Sequence, residues 1–125
     1  ILRRLFHSQF PRLVSDDWLA AAHRMFKEEN GLLVTTYDPK LATTLAGVDL
    51  ERPIANLWKE FDALTHVPLM VIRGANSDIL SAWTVAQMKA RHPALETIEV
   101  PDQGHAPLLA EADTISLIAR FAAAC

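Results

Sequence analysis

Two short loops of this chain hold side chains that are suited to proton transfer. Asp78 lies in the segment RGANSDILS, and His105 lies in the segment VPDQGHAPLL. A carboxylate that accepts a hydrogen bond from one imidazole nitrogen fixes the tautomer of the ring, and it stabilises the imidazolium that forms when the other nitrogen takes a proton. An aspartate and a histidine that meet in this way would activate a nucleophile. The structural alternatives are a histidine that bonds within its own turn and an aspartate that caps the following helix.

Each loop follows a segment that is predicted to be a strand. PLMVIRG, residues 68–74, is an apolar run that is too short for an ordinary helix and shows no alternation, which predicts a strand buried on both faces. LETIEV, residues 95–100, predicts a second strand. The helix between them is expected to begin after Ser81, as its N-cap, and to end before His92-Pro93.

The order of strand, helix and strand predicts two parallel strands joined by a right-handed crossover. The carboxyl ends of parallel strands meet at one edge of the sheet, where ligands bind, so Asp78 and His105 are expected to lie together there. A parallel sheet is normally covered on both faces and has several strands. We therefore predict an α/β fold with two parallel strands and flanking helices, in which the other strands of the sheet come from sequence outside this chain.

Further helices are predicted from apolar spacing and capping residues. One follows Ser15 as its N-cap and runs from about Asp16 to Glu29, where Asn30-Gly31 is expected to end it. The other predicted helices cover Pro39–Leu45 in the otherwise irregular segment 32–49, Pro53–Leu64 with an apolar stripe, and the C-terminal run after the His105 loop.

Composition limits the classes of function. The chain has 125 residues, a formal net charge of -3 and 22% charged residues, which is typical of one soluble globular domain or a large piece of one. Lys and Arg are scattered, which argues against nucleic acid as a partner, and no apolar run is long enough to span a membrane.

Because the sequence begins at Ile1 and not at Met, we expect a piece of a longer protein. The single cysteine, Cys125, is compatible with a reducing compartment, so a cytoplasmic location is the expectation.

The two loops carry a resemblance to a known family. RGANSDILS resembles the acid loop after strand seven of the α/β-hydrolase fold, and VPDQGHAPLL resembles the histidine loop after strand eight. The resemblance implies that Asp78 is the acid of a catalytic triad and that His105 is its general base and acid; the order of acid and then histidine agrees with that family. It also implies that residues 1–50 are a helical lid segment and that residues 51–125 are the C-terminal part of the hydrolase core, which is a doubly wound, mostly parallel sheet.

The first member of such a triad is missing from this chain. A nucleophile elbow reads Gly-x-Ser-x-Gly at a sharp turn between a strand and a helix. The serines, none of which has these flanking glycines, are Ser8, Ser15, Ser77, Ser81 and Ser116. The resemblance therefore implies that an N-terminal part of the same protein carries the nucleophile, and that this chain alone is inactive.

Three functions stay open at this point. The first is hydrolysis of an ester or a related carbonyl substrate through a Ser-His-Asp triad and an acyl-enzyme. The second keeps the fold but uses an aspartate nucleophile, as in epoxide hydrolases and haloalkane dehalogenases, and the third is a non-catalytic relative that binds a ligand.

The resemblance implies a small-molecule substrate and neither a cofactor nor a metal. The histidines that do not lie at metal-ligand spacing with a carboxylate are His7, His23, His66 and His92.

Several other side chains are candidates for the site. Asp102 could pair with His105, but it belongs to the same loop, so Asp78 on the adjacent strand end is preferred. The candidates for contact with a substrate are Trp83, Leu108, Trp18 and Phe26. Packing in the core or the lid is the competing interpretation for each, because apolar residues at helical spacing need burial with or without a ligand.

Overall fold

The computed structural model describes residues 1–46 and 55–125 and divides the chain into two compact units. The first unit contains Ile1–Leu5 and the described residues of Leu13–Asn56, and the second contains Phe6–Arg12 and Leu57–Cys125. The short segment 6–12 thus groups with the C-terminal part of the chain. Within the described residues, no helix combines the length and the apolar content that are needed to cross a bilayer.

The N-terminal elements include two short strands as well as helices. They are helix α1 (Leu2–Phe6), helix α2 (Ser15–Met25), strand β1 (Phe26–Glu29), strand β2 (Leu32–Thr35) and a 3-10 helix (Pro39–Leu45). The 3-10 helix confirms the predicted short helix, and the Asp38 carboxylate caps it by accepting from the Lys40 N–H at 2.9 Å. Helix α2 begins one residue earlier than predicted: Val14 and not Ser15 is the N-cap, and its N–H donates to the Asp17 carboxylate at 2.9 Å.

The prediction of one helix to Glu29 was wrong. Helix α2 ends at Met25, and β1 pairs with β2 in antiparallel register from Phe26↔Thr35 to Glu29↔Leu32. Asn30 and Gly31 connect the two strands, with φ of 55° and 77°. A two-residue turn with both residues at positive φ matches the twist of the flanking strands, and Asn-Gly is its preferred sequence. The dipeptide interpreted as a helix stop is therefore a hairpin turn, and residues 32–35, expected to be irregular, form a strand.

The second unit contains the α/β part of the chain. Its elements are helix α3 (Trp58–Asp62), strand β3 (Met70–Gly74), helix α4 (Ala82–Arg91), strand β4 (Glu96–Val100) and helix α5 (Ala112–Ala124). Strands β3 and β4 pair in parallel, from Met70↔Glu96 to Gly74↔Val100. The prediction of two parallel strands with an intervening helix is confirmed.

The ends of the helices in this unit follow local chemistry. The Ser81 hydroxyl accepts from the Thr84 N–H at 3.0 Å, which confirms the predicted N-cap of α4, and α4 ends at Arg91, directly before His92. Helix α3 is shorter than the predicted Pro53–Leu64, whose first two residues lie outside the described part of the chain.

The expected burial of β3 on both faces is wrong for this chain. Met70 to Arg73 are half-buried, and Gly74 alone in the strand is buried. Each strand of a two-stranded sheet is an edge strand, so neither can be covered as a central strand is. Among the described residues, the buried apolar side chains are Phe10, Leu95 and Val100.

Candidate active site

Arg73 shapes the loop that carries Asp78. From the end of β3, its guanidinium donates to the carbonyl oxygen of Leu80 at 2.7 Å and to that of Ala75 at 3.0 Å. The remaining nitrogen pairs with Glu99 on β4 at 2.6 Å, and the arginine side chain is only 11% exposed. Because one rigid guanidinium binds both ends of the loop, residues 75–80 are held around it.

A hydroxyl completes the turn of the acid loop. Ser77 N–H donates to the Gly74 carbonyl at 3.0 Å, and Ser77 Oγ accepts from the backbone N–H groups of Ile79 and Leu80 at 3.3 and 3.0 Å. Such a turn satisfies backbone donors locally. Asp78 is left with its side chain exposed.

Gln103 closes the loop that carries His105. Its side chain belongs to a residue that is 6% exposed; Oε1 accepts from the Leu108 N–H at 2.6 Å, and Nε2 donates to the Glu111 carboxylate. A buried amide satisfied at both ends fixes the backbone on either side of it. His105 itself is exposed between these two anchors.

The acid loop and the histidine loop are in direct contact. The N–H of Ala75 donates to the Val100 carbonyl at 2.8 Å, and the N–H of Asn76 donates to the Gln103 carbonyl at 2.8 Å. A Cβ added to Gly74 would overlap the carbonyl oxygens of Gln103 and Gly104. Gly74 is therefore needed for the close approach of the two loops.

Gln9 contacts both predicted triad residues. Its Nε2 donates to Asp78 Oδ2 at 2.8 Å, and its Oε1 accepts from the backbone N–H of His105 at 3.4 Å. Asn76 Nδ2 donates to the Gln9 carbonyl at 3.0 Å. Within the described residues no hydrogen bond joins the two side chains of Asp78 and His105 directly. Sequence reasoning missed Gln9, because a polar residue in segment 6–12 carries no local signal of contacts so far along the chain.

The other candidates lie in different surroundings. Trp83, on α4, is 66% exposed, and Leu108 is half-buried in the histidine loop. Trp18 and Phe26 belong to the first unit, where they line the same apolar cavity of about 530 Å³. Asp102 is engaged elsewhere, because its carboxylate pairs with Arg12 Nε at 2.6 Å.

In residues 1–46 and 55–125, no three or more His, Cys, Asp or Glu side chains gather in a way that could hold a metal ion. His92 is buried, and its Nε2 lies 3.0 Å from the Val67 carbonyl oxygen. Its ring meets that of Phe61 edge-on, so it packs beside α3.

Two known proteins are similar to this chain. A 3-hydroxybutyrate-oligomer hydrolase from Cupriavidus necator H16 is 40% identical over 88 residues, which are 68% of this chain and 30% of that protein. The crystal structure of an α/β hydrolase from Novosphingobium aromaticivorans DSM 12444 matches with a TM-score of 0.81 and 36% identity, covering 96% of this chain and 42% of the other. No family model matches the sequence. The chain thus spans less than half the length of either similar protein.

Proposed function

Because this chain has the α/β-hydrolase fold over the part that it spans, we propose that it supplies the acid and the histidine of a Ser-His-Asp triad. Asp78 is the acid and His105 is the general base and acid. The observation that carries the proposal is the junction of their loops: Asn76 binds Gln103 across it, and Gln9 contacts both Asp78 and His105. The loops follow the carboxyl ends of β3 and β4, where open parallel sheets bind ligands.

The proposed reaction passes through an acyl-enzyme. His105 takes the proton of the nucleophilic serine as the serine oxygen attacks the carbonyl carbon of an ester, and the imidazolium then gives that proton to the departing alcohol. In the second half, His105 takes a proton from water, the resulting hydroxide attacks the acyl carbon, and the proton returns to the serine. Asp78 fixes the tautomer of the ring and stabilises its charged form.

The serine of this proposal lies outside the 125 residues. No serine of the chain has the flanking glycines of a nucleophile elbow. The backbone donors of an oxyanion hole come from the residue after the nucleophile and from an upstream loop, so they belong with the elbow. The similarity to the solved α/β hydrolase supports this division, because this chain spans only 42% of that protein.

An oligoester of a short hydroxy acid is the substrate that we propose. The support is the similarity to the C. necator 3-hydroxybutyrate-oligomer hydrolase, which is 40% identical over 88 residues. Trp83 and Leu108 are the proposed substrate contacts beside the triad loops. Trp18 and Phe26, which line the apolar cavity within the first unit, are proposed to contact an apolar ligand there.

The test uses the intact polypeptide that contains these residues. The wild type is expected to hydrolyse the linear dimer of 3-hydroxybutyrate and to be labelled by a fluorophosphonate probe. Asp78→Asn and His105→Ala are each expected to lower kcat by about 10⁴-fold, because each removes a member of the proton relay.

Matched substitutions separate the triad from general damage. Asp113→Asn and His66→Ala change exposed residues of the same types elsewhere in the second unit and are expected to retain activity. If Asp102→Asn, and not Asp78→Asn, abolishes turnover, the assignment of the acid is wrong. An active protein that resists the probe but opens an epoxide or a haloalkane would replace the serine by an aspartate nucleophile.

A further inference from the structure

The amide of Gln9 lies between the two proposed triad loops. It gives an N–H to Asp78 Oδ2 at 2.8 Å and takes the N–H of His105 at 3.4 Å, so one planar group touches both loops. Its backbone is held as well, because Asn76 Nδ2 donates to the Gln9 carbonyl at 3.0 Å. Gln9 is half-buried, and Phe10 beside it is one of the buried apolar residues.

Gly104 shows how closely Gln9 is packed. A Cβ added to Gly104 would overlap Oε1 and would lie 2.6 Å from Cβ of the glutamine side chain. The residue before His105 therefore has to be glycine for Gln9 to keep this position. The absence of a side chain at Gly104 thus allows the Gln9 side chain to pack against the backbone just before His105.

A carboxylate has two oxygens, and Gln9 occupies one of them. Asp78 Oδ2 accepts from the amide, and no donor within residues 1–46 and 55–125 binds Oδ1, whose lone pairs can accept an imidazole N–H. An exposed aspartate without such a contact can rotate about its side-chain torsions, and a triad acid is useful only in one orientation. A hydrogen-bond donor on the second oxygen restricts that rotation. Hydrogen bonds to metal-binding side chains orient those side chains in the same way.

We propose that Gln9 is a positioning residue: its amide orients Asp78 and ties the acid loop to the backbone of His105. This inference rests on the proposed Ser-His-Asp function. Gln9 acts through Asp78 and the histidine loop, and not on the substrate itself.

The first test removes the amide and keeps the size of the side chain. In the intact protein, Gln9→Met is expected to lower kcat by about tenfold with KM nearly unchanged, which is the scale of one hydrogen bond to a charged group. Gln87→Met, the same change on α4, is the control and should match the wild type. Gly104→Ala, which displaces Gln9 without removing it, should give a loss similar to that of Gln9→Met.

The second test uses a carboxylic acid in place of the amide. In Gln9→Glu, two ionised carboxylates would face each other at hydrogen-bond distance and repel, whereas the introduced carboxyl group, once protonated, could donate to Asp78 as the amide does. The ratio of the variant's kcat to that of the wild type should therefore rise as the pH is lowered. Arg73 and the Arg12–Asp102 ion pair are common to both proteins, so their effects cancel in the ratio. A merely structural defect would leave this ratio flat.

Failure of this inference can be told apart from failure of the proposed function. A wild type that is active while Gln9→Met, Gln9→Glu and Gly104→Ala are equally active would overturn the role of Gln9 alone. If the wild type hydrolyses no ester, NMR of the protein labelled with ¹⁵N-glutamine decides the contact. Asp78→Asn should then shift the side-chain NH₂ signals of Gln9 and not those of Gln87; unshifted Gln9 signals overturn the inference.

Discussion

At the scale of single residues, Arg73 is the side chain on which the shape of the acid loop depends most directly. It satisfies the carbonyl oxygens of Leu80 and Ala75 with one guanidinium. Arg73→Met is expected to destabilise the intact protein by about 1–3 kcal/mol, because those part-buried acceptors lose their donors. It should also lower kcat, since Asp78 lies in the same loop. Urea unfolding and ester hydrolysis measure the two effects.

The choice of controls separates charge from geometry at this position. Arg73→Lys keeps the charge but cannot donate to two carbonyls in a fixed fork, so it should lose most of what Arg73→Met loses. Arg120→Met, on the exposed surface of α5, should be neutral within about 0.5 kcal/mol. Full stability and activity in Arg73→Lys would mean that only its ion pair with Glu99 matters.

The same scale shows why part of the site was predictable. Asp78 and His105 each follow an apolar strand, and sequence order alone puts the ends of parallel strands at one edge, so their loops were expected to meet. Gln9 could not be found in this way. Its contacts depend on where segment 6–12 packs, and that packing leaves no periodicity or motif in the sequence.

At the scale of elements, the hairpin of β1 and β2 depends on a turn with two residues at positive φ. Gly31 has φ of 77°, and an added Cβ would meet no atom within 4 Å, so Gly31→Ala tests backbone conformation without a clash. It is expected to cost about 1–2 kcal/mol, the penalty of a left-handed conformation for a residue with a Cβ. Amide hydrogen exchange of residues 26–35 should accelerate while that of β3 and β4 stays unchanged. Ala90→Gly in α4, where the change should instead affect a helix, is the contrasting control.

The hairpin also explains the main error in predicting elements. Residues 26–29 have the sequence FKEE. Phe26 continues the apolar spacing of α2, and the Lys and Glu residues that follow it favour a helix. Pairing with residues 32–35 outweighed that local preference, since the Asn-Gly turn brings the two segments together. By contrast, the start of α4 could be read correctly from Ser81, because an N-cap acts within one turn of helix.

At the scale of the whole molecule, the order of elements was easier to predict than their burial. Parallel pairing of β3 and β4 follows from the connecting helix. The depth of burial depends on layers that the two strands alone do not provide, and Met70 to Arg73 are only half-buried. A continuous apolar run thus indicates that a strand is suited to a buried position. It does not indicate how many other strands and helices of the same chain pack against it.

The final prediction concerns the 125 residues as an isolated polypeptide. They hold the proposed acid and histidine but no Gly-x-Ser-x-Gly segment, so they are expected to hydrolyse p-nitrophenyl acetate no faster than free imidazole at the same concentration. An exposed histidine such as His105 can act only as a weak base or nucleophile without a serine and an oxyanion hole. His105→Ala in the isolated chain should therefore change the rate by no more than the loss of one imidazole. Turnover far above that level, abolished by His105→Ala, would mean that this chain contains a complete active site and that the proposed division of the triad is wrong.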